Sequence, residues 1–162
     1  MEQTFVLRPS VGMHQLMAAP HVVALGICDT LPQAGIAWPH DVVDAASGEL
    51  ITYVVAHGGY DDEGMFVRVR LNVDESVRDA IDARVDQWSG AGAGAPLASV
   101  LGDYANKLVD LGKEVEVTYP NGHVYTRGAF VGVDVWGRAT VRLASGEDIE
   151  FAPEKYRIAR LG

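Results

Sequence analysis

The residue period of this chain changes once, at Gly112, and that change most constrains its fold. Before it, apolar residues recur every three or four positions. Val77, Ile81, Val85 and Trp88 share one face of a helix that Asp74 can N-cap. Leu97, Val100, Leu101, Tyr104, Leu108 and Leu111 do the same for a helix opened by Pro96 and ended by Gly112. After Gly112 the period falls to two. Glu114 to Tyr119 reads as a strand, Asn121-Gly122 as a hairpin turn, and His123 to Val133 as a long return strand. Gly128 and Gly132 fall where a small barrel would bend. Arg138 to Leu143, Asp148 to Phe151 and Tyr156 to Ile158 complete a set of short strands joined by tight turns. The expectation is an α+β chain. Residues 1–112 supply a mixed β-sheet with packed helices, and residues 113–162 a small SH3-like barrel.

Within the first part, Thr4 to Leu7 is β-prone and stops at Pro9. A helical region follows from Val11 to Leu31, with Met13, Leu16, Met17, Val22, Leu25, Cys28 and Leu31 directed to a core and Pro20 kinking or dividing it. In Ile36-Ala37-Trp38-Pro39-His40-Asp41, Pro39 biases Trp38 toward an extended conformation. The run reads as a strand end turning into a loop that presents Asp41. A plainer alternative stays open, with Trp38 a core aromatic and Asp41 the start of a turn that runs to Gly48. Leu50 to His57 reads as one strand covered on both faces, and Gly58 to Gly64 as a hairpin loop. The return strand, Met65 to Val73, puts Val67, Val69 and Leu71 on one side and Arg68, Arg70 and Asn72 on the other. Ser89 to Ala95 reads as a flexible linker.

The net charge is −9, from 13 Lys+Arg against 22 Asp+Glu. Such a surface repels phosphate backbones and anionic membranes, so neither nucleic acid nor membrane is an expected partner. The one cysteine, Cys28, precludes an internal disulfide and fits a reducing compartment. No apolar run is long enough to span a bilayer, and Met1-Glu2-Gln3-Thr4 is no signal peptide, so a cytoplasmic location is expected. His14, His21, His57 and His123 have no ligand spacing, Asp61-Asp62-Glu63 offers too few convergent oxygens for a hard cation, and no Ser-His-Asp or P-loop pattern is present.

The order of these pieces resembles the biotin–protein ligase family. That family carries a K-W-P-N-D segment, a K-L-x-G strand, a strand ending in G-x-G-x-N, and a barrel with a G-x-x-x-G-[IV]-D-x-x-G pattern. Ala37-Trp38-Pro39-His40-Asp41 is similar to the first. Glu49-Leu50-Ile51-Thr52 falls at the second, and Arg68-Val69-Arg70-Leu71-Asn72 at the third. Gly128 to Gly137 matches the fourth, and Phe5 to Pro9 resembles the strand before the family's first long core helix.

The resemblance implies a site that joins biotin to ATP with magnesium, then passes biotin to an acceptor lysine. It also implies departures from that chemistry. The family lysine maps onto Glu49, reversing a charge where an anion must sit. The glycines that leave room for ligand map onto Thr52, Arg68 and Arg70, and only Trp38, Asp41 and Asn72 still match. The family's Gly-Arg-rich loop would lie upstream of Met1. The expectation is therefore a truncated, non-catalytic relative with a binding or assembly role and no cofactor. The candidate ligand-binding residues are Trp38, His40, Asp41, Asn72, Arg68 and Arg70. Under the alternative, a ligase working by itself or beside a second chain, biotin, ATP and magnesium bind, with Asp41 as the catalytic candidate and the metal ligand. The expected partners are a second copy of the chain, paired along the Thr4–Leu7 edge, and a biotin-acceptor domain or a ligase half.

Overall fold

The computed structural model describes residues 2–92 and 94–161. Strand β1 (Gln3–Leu7) ends two residues before Pro9. Residues Met13–Ala18 wind as a 3-10 helix, and α1 (Ala19–Thr30) follows with Pro20 in its first turn. A proline there forfeits no intrahelical hydrogen bond, so the helical region divides at Pro20 instead of breaking down. Val22, Val23, Ala24, Leu25 and Ile27 are all fully buried, which makes α1 an interior helix and not a one-sided surface one.

Two three-stranded sheets flank it. In one, β6 (Gly64–Leu71) lies between β1 and β5 (Val55–Asp61). Phe5 opposes Val69, and Gly58 opposes Val67. Val67, Val69 and Leu71 point into the core while Arg68 and Arg70 face out, as the alternation requires. In the other, β3 (Asp41–Asp44) lies between β2 (Ala34–Ala37) and β4 (Leu50–Thr52). Helix α2 (Arg78–Gly90) packs against α1 after a short 3-10 turn, Glu75–Val77, whose Asp74 cap accepts from the Ser76 amide. Helix α3 (Leu101–Lys107) is shorter.

Beyond Gly112 come β7 (Glu114–Thr118), β8 (Val124–Val133), β9 (Ala139–Arg142), β10 (Asp148–Phe151) and β11 (Arg157–Arg160). They form one antiparallel sheet in the order β10-β9-β8-β7-β11, a strand-rich unit of the SH3-like kind. A Cβ at Gly128 would stand 2.5 Å from the Arg142 carbonyl oxygen, so that glycine permits the close strand approach. A bulge between Phe130 and Gly132 bends β8 nearby.

The α+β class and the strand-rich end follow the sequence expectation, and five local readings change. The expected mixed sheet is two antiparallel sheets, with one isolated parallel bridge between Ile36 and Leu108. Leu50 to His57 is two strands in different sheets, because the chain crosses from one to the other at Tyr53-Val54. The glycine pair Gly58-Gly59 lies inside β5, where Leu16 and the Phe66 ring cover the space their missing side chains leave. The helix expected from Pro96 starts only at Leu101. Tertiary hydrogen bonds hold the turn before it: Trp88 Nε1 donates to the Pro96 carbonyl at 2.7 Å, and the Leu97 amide to the Val135 carbonyl at 2.8 Å. The linker expected over Ser89–Ala95 is shorter at its start, because α2 continues through Ser89 and Gly90, and its Ala93 lies outside the described residues.

Candidate functional site

Strands β2 and β3 are joined by a tight turn at Trp38-Pro39-His40, with a cis bond at Trp38-Pro39. Trp38 is 2% exposed and its Nε1 donates to the Gly137 carbonyl at 2.8 Å. The Tyr104 hydroxyl donates to the Pro39 carbonyl at 2.5 Å. The turn is thus clamped between α3 and the barrel's 134–137 turn. There Asp134 Oδ1 accepts from the Trp136 and Arg138 amides, both at 2.9 Å. Gly137 has φ of +80°, and a Cβ on it would lie 2.9 Å from His21 Nε2. Backbone and neighbour both demand glycine there.

That neighbour organises the site. His21 is 2% exposed, its ring centroid 5.4 Å from that of His40 and 5.3 Å from that of Tyr104, both edge-to-face. Neither His21 ring nitrogen finds a partner among the described residues, nor does His40 Nδ1. Burial, reinforced by His40, pulls His21 down to about 3. Burial and then the Arg157 charge pull His40 down to about 4. Both imidazoles are neutral at neutral pH. Asp41, half-buried at the start of β3, has its carboxyl pushed up by burial and partly restored by Arg157. Arg157 Nη1 donates to the Pro153 and Tyr156 carbonyls at 2.9 and 2.7 Å. Around these groups lies a cleft of about 320 Å³, with apolar walls from Leu16, Met17, Pro20 and Ala56. Its polar lining is His21, His40, Glu154 and Arg157.

The other candidates lie elsewhere. Arg70 and Asn72 border a pocket of about 220 Å³ beside Thr52 and Tyr53. The Thr52 hydroxyl accepts from the Asn72 amide at 2.9 Å and donates to the Tyr53 carbonyl at 2.7 Å, tying the two small sheets together. Arg68 is exposed and lies over the Phe66 ring at 5.5 Å. Glu49 is exposed at the end of the 44–49 turn. No described cavity therefore joins all six sequence candidates. His40 is in the cleft with Asp41 beside it, Arg70 and Asn72 share the second pocket, Trp38 is a strut, and Arg68 lies in neither. Sequence reasoning missed His21, Glu154 and Arg157 as a group. His21 looks like one more position in an apolar helix, and the other two flank a turn of the barrel.

No group of three or more His, Cys, Asp or Glu is placed to hold a metal among the described residues. In the acidic 61–63 turn, Asp61 is gripped by Arg8 at 2.9 and 2.6 Å, with Glu63 3.3 Å from the same guanidinium. Burial raises the Cys28 thiol to about 11, so it stays protonated. Among the described residues no helix is long and apolar enough to cross a membrane.

No family model matches the chain, and no curated protein matches it. Solved structures do. A biotin protein ligase from Aquifex aeolicus superposes with a TM-score of 0.73 at 16% identity, covering 99% of this chain and 82% of that one. The same organism's ligase in complex with biotin and ATP gives a TM-score of 0.71 at 16% identity, over 99% and 78%. Its apo structure gives 0.71 at 16%, over 99% and 82%. The chain has the fold of the biotin protein ligases.

Proposed function

We propose that this chain uses a biotin-protein-ligase fold for binding or assembly and does not form an adenylate. Joining a carboxylate to ATP requires fixed positive charge where two anions meet. The observation that carries the reading is Glu49, exposed at the position where the resembling family has its lysine. No cofactor is expected under this reading. Its site in a cell is the cytoplasm, and the partner is a biotin-acceptor domain or a ligase-like chain. The test is pyrophosphate release from magnesium-ATP by the purified chain, with and without biotin. No biotin-dependent release is expected, and its detection overturns the proposal.

One observation favours a ligase instead. Arg70 borders the same pocket as Asn72, so a cation is available there. If release were found, Asp41→Ala should abolish it. The partner reading also includes a second copy. Strand β1 forms one edge of its sheet, with Val6 41% exposed and no charged residue between Gln3 and Leu7. An open edge of this kind pairs with another chain. Light scattering at micromolar concentration should report a dimer, and a monomer there would refute the pairing.

A further inference from the structure

The cleft between the start of α1, β5 and the barrel's 153–157 turn holds a pattern of polar groups that adenylate chemistry does not call for. Arg157 spends Nη1 on two carbonyls of its own turn, and no described acceptor holds its Nε or Nη2. Glu154, three residues earlier on the same turn, is exposed and has no cationic partner among the described residues. Opposite them, His21 lines the cleft almost fully buried with both ring nitrogens unpartnered, and His40 adds a third such atom. These three nitrogens are sealed from the cleft, with His21 Nε2 turned to Gly137, so the two rings act as uncharged walls and the polar groups open to a guest are Arg157 and Glu154. The remaining walls are the apolar side chains of Leu16, Met17 and Pro20.

The charges select the ligand class. A phosphate or other multiply charged anion is disfavoured, because Arg157 already acts on the Asp41 carboxyl and Glu154 brings a further carboxylate to the same lining. A simple cation is disfavoured by Arg157 itself. A molecule carrying one charge of each sign close together, with an apolar body, satisfies every wall. We propose that this cleft binds a free α-amino acid with an apolar side chain. The carboxylate meets the open edge of Arg157, the ammonium meets Glu154, and the side chain lies against Leu16, Met17 and Pro20. The cleft's volume of about 320 Å³ is at the small end of ligand pockets and suits so small a guest.

The inference rests on the reading that the fold is used for binding, and the two can fail separately. Biotin-dependent pyrophosphate release would sink that reading while leaving the titrations below untouched. The experiment is calorimetric titration of the full chain with L-leucine, L-methionine and L-valine, each to about 10 mM. At least one should bind saturably, with Kd between about 10 µM and 1 mM. Isocaproate, which lacks the ammonium, and isoamylamine, which lacks the carboxylate, should each bind at least about tenfold more weakly than leucine. Glu154→Gln, an exposed substitution compatible with folding, should weaken leucine by about tenfold without altering the melting temperature of the free protein. No saturable binding by any of the three amino acids overturns the proposal. So does isocaproate binding as tightly as leucine, or unchanged affinity in Glu154→Gln.

Discussion

A histidine with no hydrogen-bond partner at either nitrogen is tolerable in a core only while it is neutral, and among the described residues His21 is such a residue. The unfolded chain titrates its histidines near 6.5, whereas folding lowers His21 to about 3 and His40 to about 4. For a base whose folded pKa is depressed, the contribution to stability is complete above the unfolded pKa. It is lost as pH falls from there toward the folded value. The expected loss is about 1.4 kcal/mol per pH unit for each histidine between pH 6.5 and about 4. Asp41, raised by burial, works in the opposite sense once pH reaches the carboxylate range. Urea midpoints should therefore fall between about pH 7.5 and about pH 5, and His21→Leu should flatten that slope. Equal midpoints at the two pH values would mean that water or a relaxed ring reaches these nitrogens. Trp38 makes a separate claim at the same scale. Trp38→Phe keeps most of the buried ring but leaves the Gly137 carbonyl without its donor, a loss of about 1–3 kcal/mol. A denaturation curve that does not move would show the strut to be unimportant.

At the scale of elements, α1 and α2 meet where Gly26 faces Ile81. A Cβ on Gly26 would stand 2.7 Å from the Ile81 Cα, a backbone atom that cannot swing aside. Gly26→Ala should cost about 1–3 kcal/mol through overpacking, outweighing the gain of about 1 kcal/mol in helix propensity. Gly102, in α3 with nothing within 4 Å of its missing Cβ, is the internal control. Gly102→Ala should be stabilising or neutral, and a thermal melt of both variants checks the pair. If both shift the same way, propensity and not helix contact governs Gly26. Elements of this kind explain what a sequence exposes and what it hides. The α2 stripe of Val77, Ile81, Val85 and Trp88 was legible because one face is buried and a cap precedes it. The alternation in β6 was legible for the same reason. The division of Leu50–His57 between two sheets was not, since a strand's local pattern does not say which partner it joins. The shortened α3 was set by hydrogen bonds from Trp88 and to Val135, distant in sequence and invisible to periodicity. The cleft was missed for a related reason. His40 stood out beside a tryptophan-proline pair, but its companions come from α1 and from the barrel's last turn, and only the fold brings them together.

At the scale of the whole molecule, the change of period at Gly112 suggests two units, and the contacts across it argue that they unfold as one. Trp38 donates to Gly137, Leu97 to Val135, and Arg160 on the last strand reaches back to Asp110 at 3.0 Å and to the Ala46 carbonyl at 3.4 Å. Asp110 is 5% exposed, so the Arg160 pair is largely withdrawn from water, and separating the units would leave a buried carboxylate without its cation. The apolar core is likewise continuous, running from Leu25 and Ile27 of α1 through Trp38 to Phe130 and Phe151 of the barrel. Residues 113–162 by themselves would be a very small β unit, and domains of that size bury too little surface to be more than marginal. Calorimetry of the full chain should then show one heat-absorption peak, with the van't Hoff enthalpy equal to the calorimetric one. Arg160→Ala should lower that single transition by exposing the mismatch at Asp110, without splitting it. Two resolved transitions in the unaltered protein would refute the coupling and make Gly112 a true domain boundary. A single transition that Arg160→Ala divides in two would instead identify the Arg160–Asp110 pair as the link that makes the halves cooperate.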